Sequence, residues 1–191
     1  DVLCLSCYLW NITEVGQILR ETVKILSKTA IWLGGPEVSY NAREVLEKYP
    51  MVQGIMKGEG EESFTELVAY YGKLKERKQL RDIEGLMFRD ENGEIIETEN
   101  RPILDLSTVP FVYEHIEDFQ NRIIYYESSR GCPFSCSYCL SSIDKCLRFR
   151  KIELVKKELQ FFIDHEVPQV KFVDRTFNCK HDHAMAIWKY I

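Results

Sequence analysis

The sequence has no apolar run approaching the roughly 18 residues that a membrane-spanning helix needs, and a protein without a secretory leader is expected. It also lacks a basic excess. Lys and Arg total 25 against 30 for Asp and Glu, a net charge of -5, which disfavours phosphate-backbone binding as the main business. No internal repeat or low-complexity segment is visible. With 45% apolar and 29% charged residues, the composition excludes a disordered or fibrous chain. The expectation is a cytoplasmic protein with neither membrane nor nucleic acid as partner, and 191 residues suggest one or two domains.

Cysteine is what the chain has in quantity: Cys4, Cys7, Cys132, Cys136, Cys139, Cys146 and Cys179. An odd count is not a disulfide framework. Three of the seven fall within eight residues, and in a reducing compartment clustered thiols usually mean metal. The first residue is not a start methionine and the last residues, 184–191, fall inside a helical pattern, so a fragment of a longer protein is expected.

Residues 2–6 read as an apolar strand. Asn11 with Glu14 suggests a capping box. Ile12, Val15, Leu19, Val23 and Leu26 then mark an amphipathic helix over 12–28. A buried strand at 30–33 ends at Gly34-Gly35-Pro36. A short helix over 42–49, a strand over 52–57, a loop at Gly58-Glu59-Gly60 and a helix over 61–74 follow. Alternating strands and helices imply a parallel sheet covered by helices, with binding loops at the carboxyl ends of its strands, here 6–11, 34–40 and 58–62. Residues 73–82 form a polar run, Asp90-Glu91-Asn92-Gly93 marks a hairpin, and residues 100–120 read as a linker. The expected division is 1–82 as a Rossmann-like domain, 83–120 as hairpin and linker, and 121–191 as a second strand–helix unit. In the last, strands at 122–126 and 169–173 flank a helix over 152–165, and a final helix starts near Asp182.

The loop Ser129-Arg130-Gly131-Cys132-Pro133-Phe134-Ser135-Cys136-Ser137-Tyr138-Cys139 has the spacing C-x3-C-x2-C after a strand. Three thiolates on one short loop can wrap around a soft metal centre, and iron–sulfur clusters are held in this way. Three protein ligands leave one iron open. Zinc is the alternative, with Cys146 as a fourth ligand, because the histidines closest in sequence, His115 and His165, are distant.

This loop, with Tyr138 just before the last cysteine, resembles the signature of the radical S-adenosylmethionine (radical SAM) enzymes. The lead-in from Ser129 to Phe134, the stretch Val173-Asp174-Arg175-Thr176-Phe177-Asn178, and Arg148-Phe149-Arg150 resemble the branch that carries a cobalamin-binding domain in front. The resemblance covers roughly residues 120–191. It implies a (β/α) barrel, of whose six strand–helix units this chain holds about two, too few to enclose a substrate. It implies that Cys132, Cys136 and Cys139 each bind one iron of a [4Fe-4S] cluster, the fourth iron being chelated by S-adenosylmethionine. An electron passed through the cluster would give methionine and a 5'-deoxyadenosyl radical. Tyr138 would lie by the adenine, and Asp174 and Thr176 would face S-adenosylmethionine. Many relatives have Gly-Gly-Glu there, and this chain does not.

Residues 34–39 and 58–61 are similar to loops of the cobalamin-binding domain, which marks Gly34, Gly35 and Gly58 as cofactor contacts. The Asp-x-His-x-x-Gly segment of that domain, whose histidine can ligate cobalt, is not in this chain. The implied partners are a small-molecule substrate and a reducing electron donor such as flavodoxin or ferredoxin. Two rivals stand beside this reading: a non-catalytic iron–sulfur or zinc module, and a cobalamin carrier or sensor. Cys4 and Cys7 read as strand thiols on opposite faces. The run Cys179-Lys180-His181-Asp182-His183 reads as a helix start, and Trp10, Trp32 and Trp188 as core or interface residues.

Overall fold

The computed structural model describes residues 1–75, 77–143 and 146–191. Residue 76 of the polar run therefore lies outside the described residues. The chain divides into two compact units, Asp1–Pro102 and Ile103–Ile191.

The first unit begins with β1 (Val2–Ser6), α1 (Ile12–Ile25), β2 (Ala30–Gly34), α2 (Pro36–Ser39), α3 (Ala42–Lys48), β3 (Gly54–Met56) and α4 (Glu61–Tyr71). Two further strands, β4 (Leu86–Arg89) and β5 (Ile95–Glu97), complete a sheet of order β1-β2-β3-β4-β5. The first three strands are parallel and the last two antiparallel. Strand alternation sorts the apolar side chains onto two faces. Ile31, Leu33, Ile55 and Met87 pack against Val15 and Leu19 of α1, Val38 of α2 and Val45 and Leu46 of α3. Trp32, Met56, Leu86 and Phe88 pack against Leu67 of α4 on the other face. Each such fully buried side chain is worth about 1.5–3 kcal/mol of apolar transfer. This is the expected parallel-sheet, Rossmann-like α/β architecture.

Three local differences have physical causes. The helix stripe reaches the sheet only in its first turns. Val15 and Leu19 are buried while Val23, Ile25 and Leu26 are exposed, so α1 stops at Ile25. Asn11 makes no side-chain cap to α1. Its amide turns back instead, with Oδ1 accepting from Tyr8 N at 2.7 Å and Nδ2 donating to Ser6 O at 2.9 Å. The hairpin belongs to the first unit: its strands extend the first sheet, and the following residues dock on α4. There Arg101 Nε donates to Ser63 Oγ at 3.0 Å, and the Arg101 guanidinium pairs with Glu62 and Glu66. These contacts move the division from residue 82 to Pro102.

The second unit contains β6 (Ile124–Tyr126), β7 (Ser129–Arg130), β8 (Arg148–Phe149), α5 (Ile152–Asp164), β9 (Val170–Phe172) and α6 (His181–Trp188). β6 pairs with β9 in parallel, and β7 with β8 antiparallel. Ile124, Tyr126, Val155, Leu159, Phe162 and Ile187 form its core, with Phe111, Tyr113 and Phe119 of the preceding segment packed against it. No helix among the described residues is long and apolar enough to cross a membrane.

Candidate functional site

Parallel pairing of β1, β2 and β3 puts their carboxyl ends, and hence three loops, on one edge of the first sheet. Backbone bonds stitch the first two loops together: Cys7 N donates to Gly34 O at 2.7 Å and Glu37 N to Cys7 O at 3.3 Å. Gly35 has φ +102, and a Cβ there would sit 2.6 Å from Cys7 O, so only glycine permits this approach. Ser39 joins the second loop to the third, its Oγ donating to Gly35 O at 2.9 Å and accepting from Gly58 N at 3.1 Å. Nothing lies within 4 Å of the position a Gly58 Cβ would take. Of the three predicted glycines, Gly35 is thus held by the chain's own backbone and Gly58 borders open space.

The first loop presents what sequence reasoning missed. Tyr8 and Trp10 stack with centroids 4.6 Å apart and planes 6° from parallel. Leu9 is 79% and Trp10 76% exposed, so Trp10 is not a core residue. Its position between a strand end and a helix start was the available signal. Trp188 is likewise exposed, and only Trp32 is buried. Cys4 packs with the Trp32 face of the sheet and Cys7 with the opposite one. Burial pushes both thiols up, which disfavours the thiolate that a metal would need.

The cysteine loop springs from the carboxyl end of β6, and pairing of β7 with β8 closes its base. Gly131 (φ +94) lies against the backbone of Cys146, whose carbonyl carbon would be 2.7 Å from an added Cβ. Arg148 Nη1 donates to Cys146 O at 3.1 Å, so the Cys146 backbone belongs to this closure. Beyond it Cys132 and Cys139 are half-buried and Cys136 is exposed, and Cys139 N donates to Cys136 O at 3.1 Å. Tyr138 is 92% exposed. All seven cysteines are thiols rather than disulfides. The donor set suits an iron–sulfur cluster in kind, with three thiols for three of its irons. Among the described residues, however, no three His, Cys, Asp or Glu side chains already converge on one point.

The carboxyl end of the neighbouring β9 supplies the rest. Thr176 Oγ1 lies 3.6 Å from Cys132 Sγ. Asp174 Oδ1 accepts from Ser128 N at 2.7 Å, and its Oδ2 accepts from Ser128 Oγ at 2.6 Å and Ser129 Oγ at 2.8 Å. Both serines are buried. With its proton given to Asp174, the Ser128 hydroxyl accepts from His183 Nε2 at 3.4 Å. The His183 ring packs against Phe149 at a tilt of 56° with centroids 4.9 Å apart, and burial pushes its imidazole down. His181–His183 form the first turn of α6, as the sequence suggested, and Cys179 lies in the turn before it, its N donating to Thr176 O at 3.1 Å. Arg130 pairs with Glu127, Nη2 to Oε2 at 2.7 Å.

Below the loop, Tyr126 OH donates to Glu158 Oε2 at 2.5 Å, and Arg150 Nε to the same oxygen at 2.9 Å. Arg150 also donates to the carbonyls of Leu106 and Val109. Burial first, and the Glu158 carboxylate second, push the Tyr126 phenol well up, so it stays a donor. A cavity of about 160 Å³ beside this network is lined by Pro110, Phe111, Tyr113, Tyr125 and Glu127 among others.

Residues 1–68 match the family described as B12 binding domain. The chain is 27% identical over 189 residues to the cobalamin-dependent radical SAM methyltransferase TokK of Streptomyces tokunonensis, covering 93% of this chain and 28% of that protein. It is 28% identical over 150 residues to an anaerobic magnesium-protoporphyrin IX monomethyl ester cyclase of Cereibacter sphaeroides, covering 73% of this chain and 24% of the cyclase. Among solved structures, the cobalamin-dependent S-adenosylmethionine radical enzyme OxsB, with aqua-cobalamin and S-adenosylmethionine bound, superimposes with a TM-score of 0.68 at 22% identity, covering 93% of this chain and 26% of that one. The likeness read from the cysteine loop and the glycine loops is borne out, and the chain spans about a quarter of the length of these relatives.

Proposed function

We propose that this chain is part of a cobalamin-dependent radical SAM enzyme. Its first unit would carry the cobalamin-binding edge, and its second the cluster loop on the opening strand–helix units of a (β/α) barrel. One observation carries the reading. The C-x3-C-x2-C loop leaves the carboxyl end of a parallel strand, in the same chain as a domain of the B12-binding type. Cys132, Cys136 and Cys139 would hold three irons of a [4Fe-4S] cluster. Such a cluster supplies the electron that opens the sulfonium of S-adenosylmethionine, and cobalamin supplies a carrier for a methyl group.

The chain's own residues bind, space and shield. The β7–β8 pairing and the Gly131–Cys146 contact fix where the loop starts and ends. Thr176, beside Cys132, and the exposed Tyr138 sit where S-adenosylmethionine would meet the loop. In the first unit Gly34 and Gly35 form the strand-end backbone. Gly58 offers a side-chain-free approach, and Ser39 holds both loops in register. The relatives' names differ in outcome, methyltransferase and cyclase, so the proposal rests on cofactor chemistry and not on one reaction outcome. A small-molecule substrate, a flavodoxin- or ferredoxin-like electron donor and a cytoplasmic, reducing setting complete the proposal.

Anaerobic reconstitution with iron and sulfide tests it. The chain should take up roughly four irons and show a paramagnetic resonance spectrum that S-adenosylmethionine perturbs. Serine at position 132, 136 or 139 should abolish the cluster, and Cys146→Ser should not. A site that accepts only zinc, or a cluster indifferent to S-adenosylmethionine, overturns the reading.

A further inference from the structure

We infer that Asp174 is a positioning residue that sets the launch point of the iron-binding loop. The inference rests on the functional reading above but goes beyond it. Asp174 follows β9 by two residues and Ser128 follows β6 by two, so the carboxylate bridges the exits of adjacent parallel strands. It takes three donors from the two residues that precede Arg130-Gly131-Cys132: the Ser128 amide, the Ser128 hydroxyl and the Ser129 hydroxyl, at 2.7, 2.6 and 2.8 Å. Both serines are buried and the carboxylate is half-buried, so the bonds are partly shielded from water and are charge-assisted. Two residues on, Thr176 reaches the Cys132 thiol itself. One short stretch after β9 therefore fixes both the exit angle of the loop and the position of its first sulfur. With its lone pairs turned inward on the serines, the carboxylate acts on the cluster through the loop.

Side-chain chemistry separates this role from direct contact with S-adenosylmethionine. In Asp174→Asn the amide oxygen still accepts from Ser128 N–H, and the serine hydroxyls can rotate to accept from the amide nitrogen. Geometry survives and charge does not. In Asp174→Ala the bracket is gone, leaving a buried amide and two hydroxyls without an acceptor.

The test uses the full chain, reconstituted anaerobically, with far-UV circular dichroism as the folding control. It reads iron retained under chelator challenge and the resonance spectrum with and without S-adenosylmethionine. The parent and Asp174→Asn should retain iron and respond alike. Asp174→Ala should release iron about 10- to 100-fold more readily, the range for lost outer-shell support, and Ser129→Ala should fall between. If Asp174→Ala does not fold, Asp174→Asn and Ser129→Ala carry the test. Undiminished iron retention in Asp174→Ala or Ser129→Ala overturns the inference. So does an Asp174→Asn chain that keeps its iron but no longer responds to S-adenosylmethionine, since that outcome marks a direct contact. If the parent chain takes up no cluster, the functional reading itself fails, and that result is distinct from any difference among variants.

Discussion

His183 shows how one residue can couple the site to pH. It sits on Phe149, beside Lys180, and donates to the Ser128 hydroxyl that Asp174 holds. Burial pushes its imidazole down, the Lys180 charge adds to this, and Asp174 opposes it. Below about pH 6.5, the ordinary histidine value, the unfolded chain binds a proton that the native chain resists. Stability therefore rises with pH across this window and is lost as pH falls through it. Thermal melts at pH 7.5 and 5.5 should show a larger drop for the parent chain than for His183→Gln. Equal drops would mean that this imidazole is not linked to folding. The sequence showed His183 only as one of three ligand-type residues in a helix start. The contact with Ser128 spans 55 positions and has no local signal.

At the scale of elements, legibility follows the range of the interaction. Strand and helix positions were readable because alternation and helical spacing are local, and β2, α3 and α5 fall where the pattern put them. The extent of α1 was not, because the stripe Ile12–Leu26 is longer than the sheet it covers. The membership of β4 and β5 was not, because pairing with β3 is a tertiary fact. The cysteine loop stood out by spacing alone, whereas Ser128, Ser129 and Ser39, which hold the loops, are ordinary residues made special by what they meet. Glu158 is of the same kind. It falls on the buried face of α5 with Val155 and Phe162, where a charge would be unexpected, because Arg150 and Tyr126 meet it there. Burial alone would lower the Arg150 guanidinium, but the carboxylate outweighs it and holds it charged. Arg150→Met should cost about 3–5 kcal/mol by stranding a buried carboxylate. Urea unfolding would show this as an earlier transition. Replacing Glu158 with Leu as well should recover much of the loss, and no recovery would mean that the bonds to Leu106 and Val109 carry the stabilisation.

On the proposed function, the whole molecule divides its work as it divides its chain. The first unit has five strands with helices on both faces and a core on each side. Among the described residues, the second has two parallel strands under α5 and α6, supported by an aromatic cluster from Phe111 to Phe172. A two-stranded pairing is marginal unless other elements cover it. Residues 1–102 and 103–191 made separately should therefore melt differently, the first cooperatively and at the higher temperature. The cofactors should separate in the same way. Equilibrium dialysis with hydroxocobalamin should load residues 1–102, and iron and sulfide should load residues 103–191. Cys4 and Cys7 sharpen the comparison, because the first unit has a C-x2-C pair of its own. Those thiols lie on opposite faces of one strand end, and burial keeps them protonated. Iron taken up by residues 1–102 would contradict that geometry. Corrinoid taken up by residues 103–191 alone would move cobalamin recognition from the sheet edge to the cluster unit. If each fragment takes only its own cofactor, the strand-end loops of each unit suffice for binding, and joining the units serves to bring two separately held cofactors into one chain.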